Sequence, residues 1–311
     1  MTAIRACFVG QPSMGSWRIR AQQLATMRPT WSSRVTLTPD DILDNDVFVF
    51  VKRLERSKMA MLRRLGKVVA YDVLDCWRQP EDGLACDSMA KIRAYFRDYF
   101  RDLPADGVIF PNRTMLEDLG DLVSRPITIY HHFWPGLEPI EVRERVAIVG
   151  YEGEASYLGE WRARIESACA SIGARFVVNP TDLRSIDVGF SARSGAHGSL
   201  LSHRYKSNVK LANFVGACIP CLVHTSDLSY HETGNEHVRY FTDESEMRSA
   251  LVALTDVATR RAAHASFRAL REAFTIDAIA SQYERWFATL LPTGAGNDRA
   301  GGDRCLESAA R

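Results

Sequence analysis

The sequence predicts an α/β protein built from two parallel sheets, each covered by helices. Strand and helix patterns alternate in both halves of the chain, which is typical of parallel sheets. The alternation is interrupted at residues 134–144, where two prolines and several charges show no periodicity and indicate a linker. The length of 311 residues is comfortable for two domains. Because ligands bind beyond the carboxyl ends of parallel strands, we expect the two sheets to face each other across a cleft.

The strands of the first half are short apolar runs bounded by polar or turn residues. The helices between them have apolar residues at helical spacing, as Ile92, Tyr95, Phe96 and Tyr99 do within residues 88–103. The predicted strands are 4–9, 35–38, 46–51, 67–72, 106–110 and 127–130. The predicted helices are 17–27, 55–65, 88–103 and 114–122.

The second half repeats the same alternation and ends in helices. Its predicted strands are 146–150, 175–178, 187–190, 219–224 and 239–241. Its predicted helices are 157–172, 208–217, 244–254 and two more within 256–291. We therefore predict an N-terminal domain at 1–140, a second domain at 141–275, a closing helix at 276–291 and a disordered tail at 292–311. Packing of the closing helix back on the first domain is one arrangement that this order allows.

The composition is that of a globular protein, with 46% hydrophobic and 25% charged residues. A net charge of +1 argues against binding nucleic acid through bulk electrostatics. The seven cysteines are odd in number and scattered, and the N-terminus does not match a signal peptide. No apolar run reaches the roughly 20 residues of a membrane helix. We expect a cytoplasmic protein, and attachment to the inner face of the membrane is one alternative within that expectation.

Two short features have simple interpretations. Cys218 and Cys221 have the spacing of a redox pair, but they follow a predicted helix instead of opening one, so we predict a structural role. The basic helix at 55–67 carries Arg56, Lys58, Arg63 and Arg64. Such a helix either meets a membrane or an anionic acceptor, or is a solvated face.

The segment 203–232 is the most informative part of the chain. It places Arg204, Lys206 and Lys210 at the start of the helix predicted at 208–217. A helix N-terminus favours anions, and exposed basic side chains there are unfavourable by about 0.3–1 kcal/mol each. Three cations at this position indicate a compensating anion, and a diphosphate is the one we expect.

Other candidates follow strands of the two sheets. Gly15 and Ser16 lie in the first loop, GQPSMGSW, which lacks the lysine of a phosphate-binding loop. That loop is either a plain turn or a place where the backbone approaches a ligand, with Arg18 and Arg20 pointing to the cleft. Arg193 and His197 lie in a small-residue loop that would bring them near the same anion as Lys206.

Two further pairs follow strands of the first domain. Asp72 and Asp75 lie at the end of the strand at 67–72, where they would face the cleft or cap the following turn. His131 and His132 precede the linker, where one of them could line the cleft.

The segment 206–232 also resembles the second-domain motif of bacterial GT-B glycosyltransferases of the small GT4-like kind. The likeness rests on residues 206–211, Gly216, Ile219-Pro220 and residues 230–232. It implies two Rossmann-like domains facing each other across a cleft. A nucleoside diphosphate sugar would bind the second domain and the acceptor the first, with no metal and no cofactor. The likeness also has a departure, because Asn213 stands where many members carry a ribose-binding glutamate.

The resemblance also implies roles for single residues. Lys206 and Lys210 would hold the diphosphate, with Arg193 or Arg204, while Tyr230 and Glu232 would contact the donor sugar or ribose. The candidate catalytic residues are Lys206, Arg193, Asp72 and His131. The candidate donor-binding residues are Arg204, Tyr205, Lys206, Asn208, Lys210, Tyr230, Glu232, Gly15 and Ser16.

These expectations describe a hexosyltransferase-like enzyme with a glycan, lipid-linked or small-molecule acceptor. If it inverts configuration, Asp72, Asp75, His131 or His132 would act as the base. The alternatives are a nucleotide-sugar epimerase of the same fold and a degenerate, non-catalytic binding protein.

Overall fold

The computed structural model describes residues 3–12, 15–74, 86–194 and 199–292. Two parallel sheets organise them. The first sheet has six strands in the order β2-β1-β3-β4-β5-β6, and the second has five in the order β11-β10-β9-β7-β8. The first-sheet strands are β1 Ala6–Val9, β2 Trp31–Arg34, β3 Val47–Val51, β4 Val68–Asp72, β5 Gly107–Phe110 and β6 Pro126–Thr128. The second-sheet strands are β7 Ile148–Tyr151, β8 Arg175–Val178, β9 Val188–Ser191, β10 Cys221–His224 and β11 Arg239–Phe241.

Helices cover both sheets and join consecutive strands. The first helix, α1 Gly15–Trp17, continues as a π-helical segment, Arg18–Gln23. Short 3-10 turns add Gly120–Leu122, Ala155–Leu158, Leu183–Ser185 and Arg271–Phe274. The remaining helices are α2 Pro39–Asp44, α3 Arg56–Arg64, α4 Met89–Phe100, α5 Arg113–Leu119, α6 Trp161–Ser171, α7 Leu200–Tyr205, α8 Val209–Gly216, α9 Leu228–Thr233, α10 Glu244–Ala253, α11 Val257–Leu270 and α12 Ile276–Leu290.

The second strand lies four residues before its predicted position. Trp31 is the buried residue that sets it, because its ring packs against Phe8 and Phe287, whereas Val35 is exposed. Thr38 belongs instead to a capping box: its hydroxyl accepts from the backbone of Asp41, whose carboxylate accepts from the backbone of Thr38. The predicted strand at 35–38 was therefore wrong, and these residues lead into α2.

Apolar residues pack on both faces of each sheet. Phe48, Phe50, Tyr71, Phe96 and Phe110 belong to the core on one face of the first sheet. The other face is covered by residues between β1 and β2, by Trp31 of β2 and by the last helix, α12. The second sheet is packed in the same way between two clusters, with α6 and α10 on one face and α8 and α11 on the other.

The last helix leaves the second domain and packs on the first sheet. Trp286 lies so close to Gly107 that a Cβ there would stand 2.6 Å from the indole. Tyr283 is fully buried, and its hydroxyl donates to the carboxylate of Asp72 at 3.1 Å. The core of the first domain is therefore completed by the C-terminal helix.

The two domains also contact each other directly, through α5 of the first and α7 and α9 of the second. Leu201 and Tyr205 of α7 are buried in the hydrophobic cluster of the first domain. Asn112 caps α5 and donates through Nδ2 to the carbonyl oxygens of Arg204 and Lys206 at 3.0 and 3.1 Å. The segment that precedes α8 is thus fixed by both domains.

Membrane-spanning helices were sought among the described residues. None of the helices there combines the length and the apolar composition needed to cross a bilayer.

Candidate functional site

The candidate site lies at the carboxyl edge of the second sheet. The ends of β7 and β9 and the first turn of α8 bring Tyr151, Arg193 and Lys210 into one cluster, and Asp227 joins it after β10. Because all strands of this sheet are parallel, each contributes its carboxyl end to the same edge. This is the edge at which a parallel sheet binds ligands.

Lys210 is the central cation of this cluster. It is 7% exposed, and its Nζ donates to the Tyr151 hydroxyl at 2.8 Å while lying 4.0 Å from the centre of the same ring. Burial, with Arg193 adding repulsion, lowers the pKa of Lys210 well below its usual value. Among the described residues, no carboxylate lies within ion-pair distance of its Nζ. In the part of the chain that the structure describes, Lys210 is therefore a buried lysine without a carboxylate partner, and an anionic ligand would favour its charged form.

The backbone at Gly153 leaves room for the side chain of Lys210. Gly153 has φ 129°, and a Cβ there would lie 3.2 Å from the Lys210 Nζ. The side chain of Asn179 fixes this glycine by accepting from its nitrogen at 2.7 Å and donating to its oxygen at 3.0 Å. A side chain at position 153 would be strained at this φ and would press on the end of Lys210, and both effects favour glycine.

Arg193 supplies the second cation. Its Nε lies 3.6 Å from Oδ2 of Asp227, and both side chains are nearly inaccessible. Burial opposes ionisation of Asp227, but His203, Arg193 and Lys210 together hold the pKa of its carboxyl below the usual range. His203 Nδ1 lies 3.4 Å from the other carboxylate oxygen. The sequence did not indicate a role for His203 or Asp227, because they are 24 residues apart and meet only in the folded chain.

Lys206 adds a third positive charge. It follows the last residue of α7, is half-buried, and is close enough to Lys210 to lower the pKa of that lysine further. Three cations therefore lie at one edge of the second sheet, two of them in α8 or just before it. This arrangement suits a ligand with more than one negative charge.

Arg204 was predicted at the start of a helix, and that prediction was wrong. It lies in the last turn of α7, where a cation interacts favourably with the helix dipole. Its guanidinium forms a two-point ion pair with Asp118 of α5, one of the bonds measuring 2.9 Å. Of the three cations, only Lys210 lies in the first turn of a helix, where a positive charge is unfavourable. Arg204 instead links the two domains through Asp118.

Tyr205 and Glu232 also serve the domain contact. The Tyr205 ring packs against Phe96, and its hydroxyl donates to Asp118 at 2.9 Å. Glu232 accepts hydrogen bonds from the first-domain side, so the structure does not place its carboxylate toward Lys210. The donors to Glu232 are the backbone nitrogens of Arg113 and Thr114 and the hydroxyls of Thr114 and Tyr130.

Asn208 and Tyr230 lie beside the cluster but are buried. Asn208 is fully buried, and its Oδ1 accepts from the backbone nitrogen of His131 at 2.9 Å. The Tyr230 hydroxyl accepts from Ser191 at 3.3 Å, and burial raises its pKa well above the usual value. Both residues are buried beside the cation cluster, and Asn208 connects it to the segment just before the linker.

The first-domain candidates for a base are buried. Asp72 has no exposed surface and pairs with Arg20 at 3.4 Å, so neither residue points into a cleft. His131 is 2% exposed, and both ring nitrogens of His132 face backbone carbonyls, at Phe133 and Ile19. Burial lowers the pKa of His132, while its two contacts with backbone carbonyls oppose that shift. Asp75 and His197 lie outside the described residues.

Within the described part of the first loop, Gly15 makes no contact with the cation cluster. Gly15 is exposed, and a Cβ there would meet nothing within 4 Å, while Ser16 is half-buried. Arg18 is exposed, and its guanidinium lies 5.0 Å from the ring centre of Trp134, in the linker. Of the two arginines that follow this loop, Arg18 is exposed and Arg20 is buried.

The cysteines at 218 and 221 are both fully buried and free. Burial raises the pKa of each thiol, most strongly at Cys221, so neither is poised as a thiolate. This environment is that of structural cysteines.

A cavity of about 820 Å³ lies elsewhere, at the amino ends of β4 and β5. Arg63, Arg64, Lys67 and Arg125 are among its lining residues, so the basic end of α3 borders it. Several of these groups are already bonded: Arg63 pairs with Asp106, and Lys67 donates to backbone carbonyls. The contact of this helix with a membrane or an anionic acceptor stays a prediction.

No protein-family model matches the chain, and no curated protein matches it either. Solved structures do. Sucrose-phosphate synthase from Thermosynechococcus elongatus aligns at 12% identity over 92% of this chain and 99% of that one, with a TM-score of 0.60. An α,α-trehalose-phosphate synthase (UDP-forming) from Burkholderia vietnamiensis aligns at 11% identity over 93% and 99%, with a TM-score of 0.59. TarM aligns at 11% identity over 78% and 55%, with a TM-score of 0.58.

These neighbours establish the architecture of the chain. Nearly its whole length aligns with glycosyltransferases of the GT-B fold, and the chain has two parallel sheets covered by helices. The chain has the GT-B fold, and the predicted fold class is confirmed.

Proposed function

We propose that this chain is a glycosyltransferase that moves a sugar from a nucleoside diphosphate sugar to a sugar-containing acceptor. The observation that carries the proposal is the cluster of Lys206, Lys210 and Arg193 at the carboxyl edge of the second sheet. In a GT-B fold that edge borders the interdomain cleft. The structural neighbours include a sucrose-phosphate synthase and a UDP-forming α,α-trehalose-phosphate synthase.

The chemistry needs positive charge where the sugar leaves. Breaking the bond between sugar and diphosphate builds negative charge on the departing phosphate. Preorganised cations stabilise that charge more in the transition state than in the ground state, and this difference accelerates the reaction. Lys210 is already desolvated and fixed by Tyr151, so it needs little rearrangement to act. We propose that these cations replace a metal ion.

The acceptor would bind on the first-domain side of the cleft. Trp134 is 45% exposed and stacks against the exposed Arg18. An aromatic face beside a guanidinium suits a sugar that carries a phosphate or another anion. We propose an anionic glycan, a lipid-linked sugar or a small sugar phosphate as the acceptor class.

Three of the four first-domain base candidates are buried, and their burial favours transfer with retention of configuration. Asp72, His131 and His132 are each at most 2% exposed, so an acceptor hydroxyl has no access to them. A retaining reaction needs no base from that side, because the departing phosphate can take the proton. The anomeric configuration of the product, measured by NMR against the donor, tests this part of the proposal.

The decisive experiment begins with a thermal-shift panel of UDP, GDP, dTDP and CMP sugars. The nucleotide with the largest shift is then titrated by calorimetry into the wild type and into Lys206→Ala. The matched control is Lys91→Ala, an exposed lysine on α4 that pairs with Asp87. We expect Lys206→Ala to lose most donor affinity and about 10²–10³ in rate, while the control keeps both.

Other outcomes identify the alternatives. Conversion of the donor sugar without any acceptor would identify an epimerase. Absence of both donor binding and donor hydrolysis would identify a non-catalytic protein and overturn the proposal.

A further inference from the structure

Glu152 is a carboxylate at the same edge whose role no other feature explains. It directly follows β7 and is half-buried. Among the described residues Asn213 is its one hydrogen-bond donor, through Nδ2 to Oε2 at 3.0 Å. A carboxylate can accept about four hydrogen bonds, so most of its capacity is unused.

Asn213 is oriented by a second contact. Its Oδ1 accepts the backbone N–H of Trp134 at 3.1 Å, which turns its amide nitrogen toward Glu152. Asn213 is 3% exposed, so it has no room to turn elsewhere. A carboxylate at position 213 would face Glu152 with no hydrogen to donate. The asparagine is therefore matched to Glu152 and holds it in place.

The helix α8 joins this carboxylate to the cation cluster. Lys210 and Asn213 are three residues apart and so lie on one face of the helix. They contact consecutive residues of the chain, since Lys210 bonds Tyr151 and Asn213 bonds Glu152. Lys210 and Glu152 interact electrostatically without a direct bond between them. One ligand could thus present an anion to Lys210 and hydroxyl groups to Glu152.

We propose that Glu152, oriented by Asn213, accepts hydrogen bonds from vicinal hydroxyls of the nucleotide-sugar ligand whose diphosphate lies on Lys210. This assignment rests on the proposed function. The hydroxyls come either from the ribose or from the transferred sugar. Burial already raises the pKa of Glu152, and hydroxyl donors that bond the charged form would lower it again.

The test compares Glu152→Gln with Glu154→Gln in the full chain. Glu154 is two residues away and exposed, so it undergoes the same chemical change outside the site. The probes are the nucleoside diphosphate with the largest thermal shift on the wild type, its 2′-deoxy counterpart and its sugar conjugate. Circular dichroism and thermal unfolding confirm that each variant is folded.

If the ribose is the partner, Glu152→Gln weakens binding of the nucleoside diphosphate about ten- to hundredfold and no longer distinguishes it from the 2′-deoxy form. If the transferred sugar is the partner, the variant loses only the extra affinity that the sugar conjugate shows. Either result supports the assignment.

If the wild type binds nucleotide but Glu152→Gln and Glu154→Gln have equal affinities for all three probes, the assignment of Glu152 is overturned. A wild type that binds no nucleotide refutes the proposed function instead, and the assignment falls with it.

Discussion

The carboxylate of Glu232 lies 2.8 Å from the backbone nitrogen of Thr114, across the contact between the two domains. Its other oxygen accepts from the backbone nitrogen of Arg113 at 2.7 Å and from the Tyr130 hydroxyl at 2.8 Å. The second domain thus supplies the negative charge that the N-terminus of a first-domain helix prefers. These bonds therefore help to hold the two domains together.

Glu232→Gln should weaken that contact by about 1–2 kcal/mol, because the amide loses the charge and turns a donor toward other donors. We expect faster hydrogen exchange over residues 113–119 and a larger radius of gyration in X-ray scattering. Glu138→Gln, an exposed linker residue, is the control. Unchanged exchange in Glu232→Gln would mean that the remaining interface holds the domains without this carboxylate.

Lys210→Met should stabilise the free protein while it abolishes nucleotide binding. Burial makes the charged lysine costly, and methionine fills a similar volume without charge, so we expect a gain of about 1 kcal/mol or about 2–4 °C in Tm. The gain is full below the lowered pKa of Lys210 and shrinks as pH rises from there toward 10.5. Thermal unfolding between pH 6 and 10 measures it; a lower Tm at every pH would contradict it.

Nucleotide binding should take up protons. A diphosphate beside Lys210 favours its charged form and raises the pKa that burial has lowered. At a pH between the two pKa values, we expect a fraction of a proton to be bound per ligand. Calorimetry in buffers of different ionisation enthalpy measures that fraction. Lys206→Ala should retain the uptake where it still binds, and a buffer-independent enthalpy in the wild type would count against a neutral Lys210.

Asp72→Asn should affect stability more than catalysis. It leaves the buried Arg20 without its carboxylate, which costs about 3–5 kcal/mol in comparable buried pairs. Tyr283→Phe removes only the 3.1 Å hydrogen bond and should cost about 1 kcal/mol. Urea denaturation gives both values, and kcat of the folded fraction should stay within about threefold of wild type. A selective loss of kcat with unchanged stability would restore Asp72 as a catalytic candidate.

Local pattern was sufficient for the sheets and insufficient for the segment before α8. The strands at 46–51 and 67–72 were placed to within a residue, because apolar runs bounded by polar residues specify buried parallel strands. The helix α7 was missed, although Ser199 accepts from the backbone of Ser202 as its cap. With α7 unrecognised, Arg204 was assigned to the wrong end of a helix.

Contacts between distant parts of the chain explain the other differences. Asp72 was expected to face the cleft, but Arg20 and Tyr283, the latter 211 residues away, draw it into the core. No periodicity reports such a pairing. Asp72 is the last residue of β4 and Glu152 directly follows β7, so both carboxylates lie at the carboxyl end of a strand and carry the same sequence signal.

The return of α12 to the first sheet has a consequence for how the chain is made. Tyr283 and Trp286 fill the core of the first domain, yet they are synthesised after the strands of both domains. The amino-terminal lobe therefore keeps an uncovered apolar face until α12 has left the ribosome. A nascent chain arrested before residue 276 would carry all the strands of the second lobe and a first lobe whose core is incomplete.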